Sequence, residues 1–240
     1  MPKIFSREDL SNVVVNLRQI TTTGQVQTGT GVLVEHQQKL YLITASHVAL
    51  TMLTNGEFIL RGNNDLPISL NLSQLIDGFN SSTIPWKHHS IADLAVLDLS
   101  PSKETIKQFL IGRFLSTENI YQHKSSVSRD VELTSLGFPL GLGAVGHFSP
   151  LSFRTYASSG LITLNRFDNQ QPCDFFILEN PTVGGYSGGP IFDISIYKHG
   201  NMTSTGEGTL LYGITHGTII DQTGGKMAAI TPSHFMFDLI

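Results

Sequence analysis

The segment Gly184-Gly185-Tyr186-Ser187-Gly188-Gly189-Pro190 sets one serine among four glycines, just before the apolar pair Ile191-Phe192. That much glycine permits positive φ and leaves backbone N–H groups uncovered by side chains. A serine that attacks a carbonyl needs both properties, because nearby N–H groups must hold the oxyanion that forms. Taken alone, the segment reads equally well as a glycine-rich turn between strands. Two upstream segments weigh against that reading: Thr44-Ala45-Ser46-His47-Val48 and Ala92-Asp93-Leu94-Ala95-Val96-Leu97. They put a histidine and an aspartate ahead of the serine.

The chain around these segments is a succession of short apolar runs broken by turns. Residues 12–20 alternate weakly, Gly29 to Val34 opens a strand, and Lys39 to Thr44 forms its partner across Glu35-His36-Gln37-Gln38. Ala45 to Met52 has room for one or two helical turns. Asp93 to Leu99 is strand-like, and Ile106 to Phe114 is ambiguous between helix and strand. A midpoint boundary falls within 112–128, where glycine, serine, asparagine and charged residues cluster. Beyond it, Val131 to Phe138, Phe153 to Leu164, Phe175 to Glu179, Pro190 to Ile196, Leu210 to Thr215 and Met227 to Ile230 supply further strands. The polar stretch 198–209 reads as a hairpin tip, and Ser233 to Leu239 as a closing helix. With 23 glycines and only 14% charged residues, this pattern favours barrels or a sandwich over a sheet flanked by helices.

Composition narrows the function. The formal net charge is −4 and no run of Lys and Arg could track phosphates, so nucleic acid is not an expected partner. Cys173 is the only cysteine, so no disulfide joins two parts of the chain. The first nine residues become charged before an apolar stretch develops, which gives no signal peptide, and no apolar run is long enough to span a membrane. The expectation is a cytoplasmic protein without a membrane partner.

An unassisted serine hydroxyl is a weak nucleophile near neutral pH and needs a base within hydrogen-bond reach. Imidazole has the right reference pKa, and a carboxylate must fix its tautomer. Among nine histidines, His47 stands where the chain leaves an apolar strand, a place from which a side chain can enter a cleft. Asp93 enters an apolar segment, where a buried carboxylate demands donors such as an imidazole N–H. Asp98 is the rival acid, but alternation puts it on the face of Leu94 and Val96. Hydrogen bonds from Asp93 to His47 and from His47 to Ser187 are expected. Zinc held by His36, His47, His88 and His89 is a weak alternative, since no tight ligand spacing appears; neither a metal nor a cofactor is called for.

The three segments, in this order, resemble those of the chymotrypsin-fold, trypsin-like serine peptidases. The closest resemblance is to the disulfide-free bacterial branch of HtrA/Deg proteases and glutamyl endopeptidases. Leu136-Gly137-Phe138-Pro139-Leu140-Gly141 is similar to that branch's G-x-P-x-G turn, Ser159-Gly160-Leu161-Ile162 to its S-G-x-I strand, and Ile230-Thr231-Pro232-Ser233 to its A-I-P-S segment. The resemblance implies an all-β fold of two packed six-stranded antiparallel β-barrels. Residues 1–118 would form the barrel with His47 and Asp93, and residues 119–240 the barrel with Ser187. It further implies an oxyanion hole from the N–H groups of Gly185 and Ser187, and an S1 pocket shaped by Pro181, Thr182, Thr215, His216 and Gly217. Tyr186 stands where secreted members carry the aspartate that receives a freed N-terminus, so that form of activation is not expected.

The function implied is an endopeptidase acting on proteins or peptides, with narrow specificity, a disordered resting site and an activating protein partner all open as its restraint. The alternative is a protein-binding module that keeps the three residues but has an unformed oxyanion hole, through a flipped peptide at Gly184-Gly185. The pocket-base position, Pro181, carries no carboxylate. With Thr182 and a contribution from Thr215 or His216, this implies uncharged or Glu/Gln-type P1 side chains over Arg and Lys.

Overall fold

In a computed structural model of the protein, residues 2–199, 202–220 and 226–240 are described. The first half forms one sheet from β1 (Val14–Ile20), β2 (Val26–His36), β3 (Lys39–Thr44), β4 (Glu57–Arg61), β5 (Pro67–Asn71), β6 (Lys87–His88), β7 (Ala95–Asp98) and β8 (Leu115–Ser116). Its order is β5-β4-β1-β2-β3-β7-β6, all antiparallel, with the short β8 joining β2 in parallel. The second half contains β9 (Leu133–Gly137), β10 (Leu151–Thr155), β11 (Ile162–Asn165), β12 (Pro172–Leu178), β13 (Pro190–Asp193), β14 (Ile196–His199), β15 (Met202–Thr205), β16 (Leu210–Ile220) and β17 (Lys226–Pro232). Seven of these make a second sheet in the order β10-β9-β13-β16-β17-β12-β11, and β14 and β15 form a separate hairpin. The fold is the expected mostly-β, chymotrypsin-like pair of barrel-like halves. Two-residue strands such as β6 and β8 raise the strand count above six in the first half.

The near-continuous apolar runs have a simple cause: both faces of the central strands are buried, so alternation divides their side chains between two cores. In the first sheet Val15, Leu17, Leu33, Leu42 and Leu97 point into one core, together with Phe58. Their neighbours Val14, Val32, Val34, Ile43 and Val96 point the other way, into a core shared with the second sheet. The second sheet divides likewise. Phe176, Leu178, Ile191 and Ile230 fill its own core, while Phe175, Ile177, Phe192 and Ala229 face the shared one. The two halves are therefore joined by a continuous apolar seam.

Local elements follow the sequence with a few differences. The chain leaves β3 into a short helix, α2 (Ser46–Thr51), after the first-turn helix α1 (Arg7–Leu10) at the start of the chain. The ambiguous stretch before Phe114 is a helix, α3 (Glu104–Leu110), anchored by the buried Ile106 and Leu110. Phe153 to Leu164 splits into β10 and β11, and the closing helix is a 3-10 helix, Ser233–Asp238. Half of the polar stretch 198–209 lies in the strands of the β14–β15 hairpin, with residues 200 and 201 outside those described.

Gly188 shows how closely the halves approach. Its φ is +81°, and a Cβ there would collide with Thr30 O and Thr44 Oγ1 from the first sheet. Left-handed backbone and overpacking each cost on the order of 1–3 kcal/mol. Gly188→Ala is therefore expected to destabilise the protein by at least about 2 kcal/mol in urea unfolding. A midpoint unchanged from wild type would contradict this packing.

Candidate active site

Asp93 sits in the bend before β7, and the pairing of β3 with β7 (Thr44 opposite Ala95) brings it beneath the first turn of α2. Its side chain is fully buried. The His47 backbone N–H donates to Asp93 Oδ1 at 3.0 Å, and His47 Nδ1 lies 2.7 Å from Oδ2. His216 Nδ1 lies 2.6 Å from the same Oδ2, and Arg166 Nη2 donates to Oδ1 at 3.4 Å. An ionised carboxylate only accepts, so both imidazoles present Nδ1–H to it. Burial alone would push the Asp93 carboxyl up, but hydrogen bonds from His216 and His47 outweigh it and hold the group well below the usual carboxylate range. Asp98, the rival acid, is exposed and accepts the Ser100 backbone N–H.

The second half supplies two of these donors. Arg166 is buried in the turn between β11 and β12, and its Nη1 also donates to Ile91 O at 2.8 Å. Asp168 pairs with the same guanidinium at 2.5 Å. His216 reaches Asp93 because β16 is bulged against β17. Thr215 faces Ile230 and Gly217 faces Ala229, which leaves His216 as the extra residue. A bulge of this kind re-aims a side chain. The Phe167 N–H approaches His216 Nε2 at 3.4 Å, so both ring nitrogens are engaged. The Phe167 ring packs 4.4 Å from the His216 ring and 4.9 Å from the His47 ring.

The serine loop is held by the first sheet through Thr30, a fully buried residue of β2. Thr30 N–H donates to Ser187 O at 2.8 Å. Its hydroxyl donates to Gly185 O at 2.7 Å and accepts Phe138 N–H at 3.1 Å. Gly184 O accepts Leu140 N–H at 2.7 Å, and Gly188 N–H donates to Thr215 O at 2.8 Å. Because a trans peptide points its C=O and N–H in opposite directions, the Leu140 contact turns Gly185 N–H away from that residue. Gly185, with φ of +100°, accommodates the turn. No hydrogen bond joins Gly185 N–H or Ser187 N–H to another described residue. Ser187 Oγ donates to the His216 carbonyl at 3.3 Å; the expected bond to His47 is not formed.

A cavity of about 400 Å³ opens beside Ser187, lined by Phe167, Thr182, Val183, Gly217, Thr218 and Lys226 among others. Thr182 and Gly217 thus lie where the pocket was expected, and three other expected residues do not. Pro181 lines a separate cavity with Ser135 and Tyr186. Thr215 is fully buried, its hydroxyl has no partner among the described residues, and its backbone braces Gly188 and Gly189. His216 is turned onto Asp93 and lines a mainly apolar cavity with Leu164 and Phe175. The zinc grouping is not assembled: His36 is bonded to Thr117, His88 to Ser46 and His89 to Asp238. His47, Asp93 and His216 do cluster, with candidate ligand atoms within 4.8 Å of one another. Each Nδ1 there is already committed to the carboxylate.

Thr30, Arg166 and Phe167 had no assigned role in the sequence. Thr30 is flanked by Gly29 and Gly31, at which a Cβ would strike Val48 and Leu42, and that pair of glycines is a signal of close approach. Arg166 and Phe167 lie in a polar turn that carries no comparable signal.

Two measurements probe this geometry. Asp93 has a folded pKa below its unfolded value, so its contribution is complete above the unfolded value of about 4 and is lost as pH falls through the folded one. Stability of the wild type should therefore fall below about pH 4 more steeply than that of Asp93→Asn; parallel curves would contradict the assignment. Thr30→Val keeps the shape but strips partners from Gly185 O and Phe138 N–H. It is expected to cost roughly 1–3 kcal/mol in urea unfolding, with Thr30→Ser close to wild type.

Similarity to solved structures agrees with this architecture. An inactive serine-to-alanine mutant of Rv3671c from M. tuberculosis H37Rv aligns over 96% of this chain and 86% of its own, at 14% identity and a TM-score of 0.56. The serine endoprotease from Yersinia pestis aligns over 98% of this chain and 65% of its own, at 15% identity and a TM-score of 0.52. A scabies mite inactivated protease paralogue aligns over 99% and 96%, at 12% identity and a TM-score of 0.54. At such identities the likeness shows the fold alone. No curated protein matches the chain in sequence. The profile of the trypsin-like peptidase domain matches residues 29–196, well over half of the chain and inclusive of His47, Asp93 and Ser187. The chain belongs to the trypsin-like peptidase family.

Proposed function

We propose that the protein is a serine endopeptidase that cleaves protein or peptide substrates through an acyl-enzyme on Ser187. The observation that carries this reading is His47 Nδ1 at 2.7 Å from the buried Asp93 carboxylate. That contact fixes the tautomer and leaves Nε2 as the basic nitrogen. In the reaction Nε2 takes the Ser187 hydroxyl proton as Oγ attacks the scissile carbonyl. Gly185 N–H and Ser187 N–H hold the oxyanion. The tetrahedral intermediate collapses as His47 gives the proton to the leaving amine, and a water activated by His47 then releases the acyl group. Asp93 stays ionised and stabilises the imidazolium. No cofactor enters these steps.

The alternative reading, a binding module with a flipped Gly184-Gly185 peptide, receives less support. Flipping that peptide would break the 2.7 Å contact of Gly184 O with Leu140 N–H. Our reading treats residues 1–118 and 119–240 as the two halves whose seam holds the site. It also assigns the chain to the disulfide-free HtrA/Deg and glutamyl endopeptidase branch, on the motifs around Gly137 and Ser159. A reducing, cytoplasmic setting fits the lone Cys173, which is buried and whose thiol is pushed up to about 11 by that burial. Recovery of the protein from an oxidising compartment would overturn that placement.

Incubation with a fluorophosphonate, followed by mass-spectrometric mapping, tests nucleophile and oxyanion hole together. The expected adduct is on Ser187, and Ser187→Ala should lose it while keeping the wild-type melting temperature. His47→Ala and Ser187→Ala should each reduce peptide cleavage by about 10⁴-fold or more, and the double variant should be no worse than either alone. Undiminished cleavage by Ser187→Ala would refute the mechanism.

A further inference from the structure

Among the described residues, one charged side chain lines the cavity beside Ser187. Lys226, at the start of β17, is the only ionisable group among the described residues lining the cavity. It is exposed and makes no ion pair with another described residue. Phe167, Val183 and Ile220 supply apolar wall, suited to the methylenes of an extended side chain.

The two hydroxyls in the wall sharpen the argument. Thr218 Oγ1 donates to Thr182 O at 2.6 Å, which uses its single proton. Thr182 Oγ1 lies 3.2 Å from Thr218 Oγ1 and must therefore be the donor of that pair. Both protons are consumed within the wall, so neither hydroxyl can donate to a substrate in this arrangement. Among the described lining residues, the Lys226 ammonium is left as the side-chain donor. A cationic P1 side chain would meet a like charge with no carboxylate among the described lining residues to offset it, whereas a carboxylate would meet its counter-charge.

We infer that Lys226 is a specificity-determining residue and that the pocket takes an acidic P1 side chain, Glu before Asp. The inference rests on the endopeptidase reading for the word P1, but not for the existence of the pocket. His216, a candidate for this task in the sequence, is committed to Asp93 and plays no part in it.

Binding without turnover separates the two ideas. Tripeptides ending in Glu, Gln or Lys share a C-terminal carboxylate and differ only in the last side chain. Calorimetric titration of them into Ser187→Ala should rank Glu above Gln above Lys, with Glu at least about tenfold tighter than Lys at low salt. Adding Lys226→Gln should erase the gap between Glu and Gln, and adding Lys226→Glu should reverse the order of Glu and Lys. Because Lys226 is exposed, both substitutions should keep the wild-type melting temperature. In the active protein, a peptide library should be cut after Glu, and the Lys226→Glu variant should shift the cuts toward Arg and Lys. Equal binding of the Glu and Lys peptides, or an order that survives charge reversal, overturns the inference. Selective binding of the Glu peptide by a protein that neither labels nor cleaves would sink the endopeptidase reading and leave the pocket assignment standing.

Discussion

Asp93 holds a charge where there is no water, and the arrangement of the seam follows from the donors it requires. A buried carboxylate is tolerable only when its lone pairs are filled. Here the donors come from three separated parts of the chain: the backbone and ring of His47, the ring of His216 and the guanidinium of Arg166. Two of the three belong to the second half. The acid is thus fully satisfied only when the halves are packed, which ties formation of the site to formation of the shared core. The two imidazoles are not equivalent. His216 is buried and has Phe167 N–H against its other nitrogen, whereas the His47 side chain is 20% exposed. Only the latter has a nitrogen available for chemistry.

Thr30 repeats this logic from the opposite direction. A strand of the first sheet uses its N–H and hydroxyl to hold carbonyls on both sides of Tyr186, and Thr44 Oγ1 in turn donates to Thr30 O at 2.7 Å. With the carbonyls of Gly184, Gly185 and Ser187 anchored, little freedom remains for the N–H groups of Gly185 and Ser187. Order in this loop comes from cross-seam hydrogen bonds and glycine geometry. Tyr186 fits that scheme: its ring is buried against Phe153, and burial pushes its phenol up, so it fills space as a neutral group.

The fold and the core of the site were legible in the sequence because they depend on local signals. Apolar runs bounded by turns mark the strands, and the segments around His47, Asp93 and Ser187 are specific in order and spacing. The strand-to-helix exit at His47 and the choice of Asp93 over Asp98 could both be argued from position along a strand. What lay beyond reach depended on register and on contacts distant in sequence. His216, expected among the pocket residues, is absent from the lining of the cavity beside Ser187. Only the bulge opposite β17 determines that it then lands on Asp93. Arg166 is 73 residues from Asp93 in sequence, and nothing nearby announces the pairing.

The pocket was the hardest part to read because its walls come from β16, β17 and the serine loop, and each depends on register. A resemblance can carry Thr182 to its place because that residue is tied to Ser187 by a short, fixed stretch of backbone. It cannot carry Thr215 or Pro181, whose side chains turn away from the cavity. Nor does it point to Lys226, which is 39 positions beyond the serine and reaches the pocket only through the pairing of Ile220 with Lys226 at the end of the β16–β17 ladder. Asp93 is over-determined by several hydrogen bonds. A specificity group at a strand end is held by one ladder contact, so its identity can change without disturbing the machinery beside it.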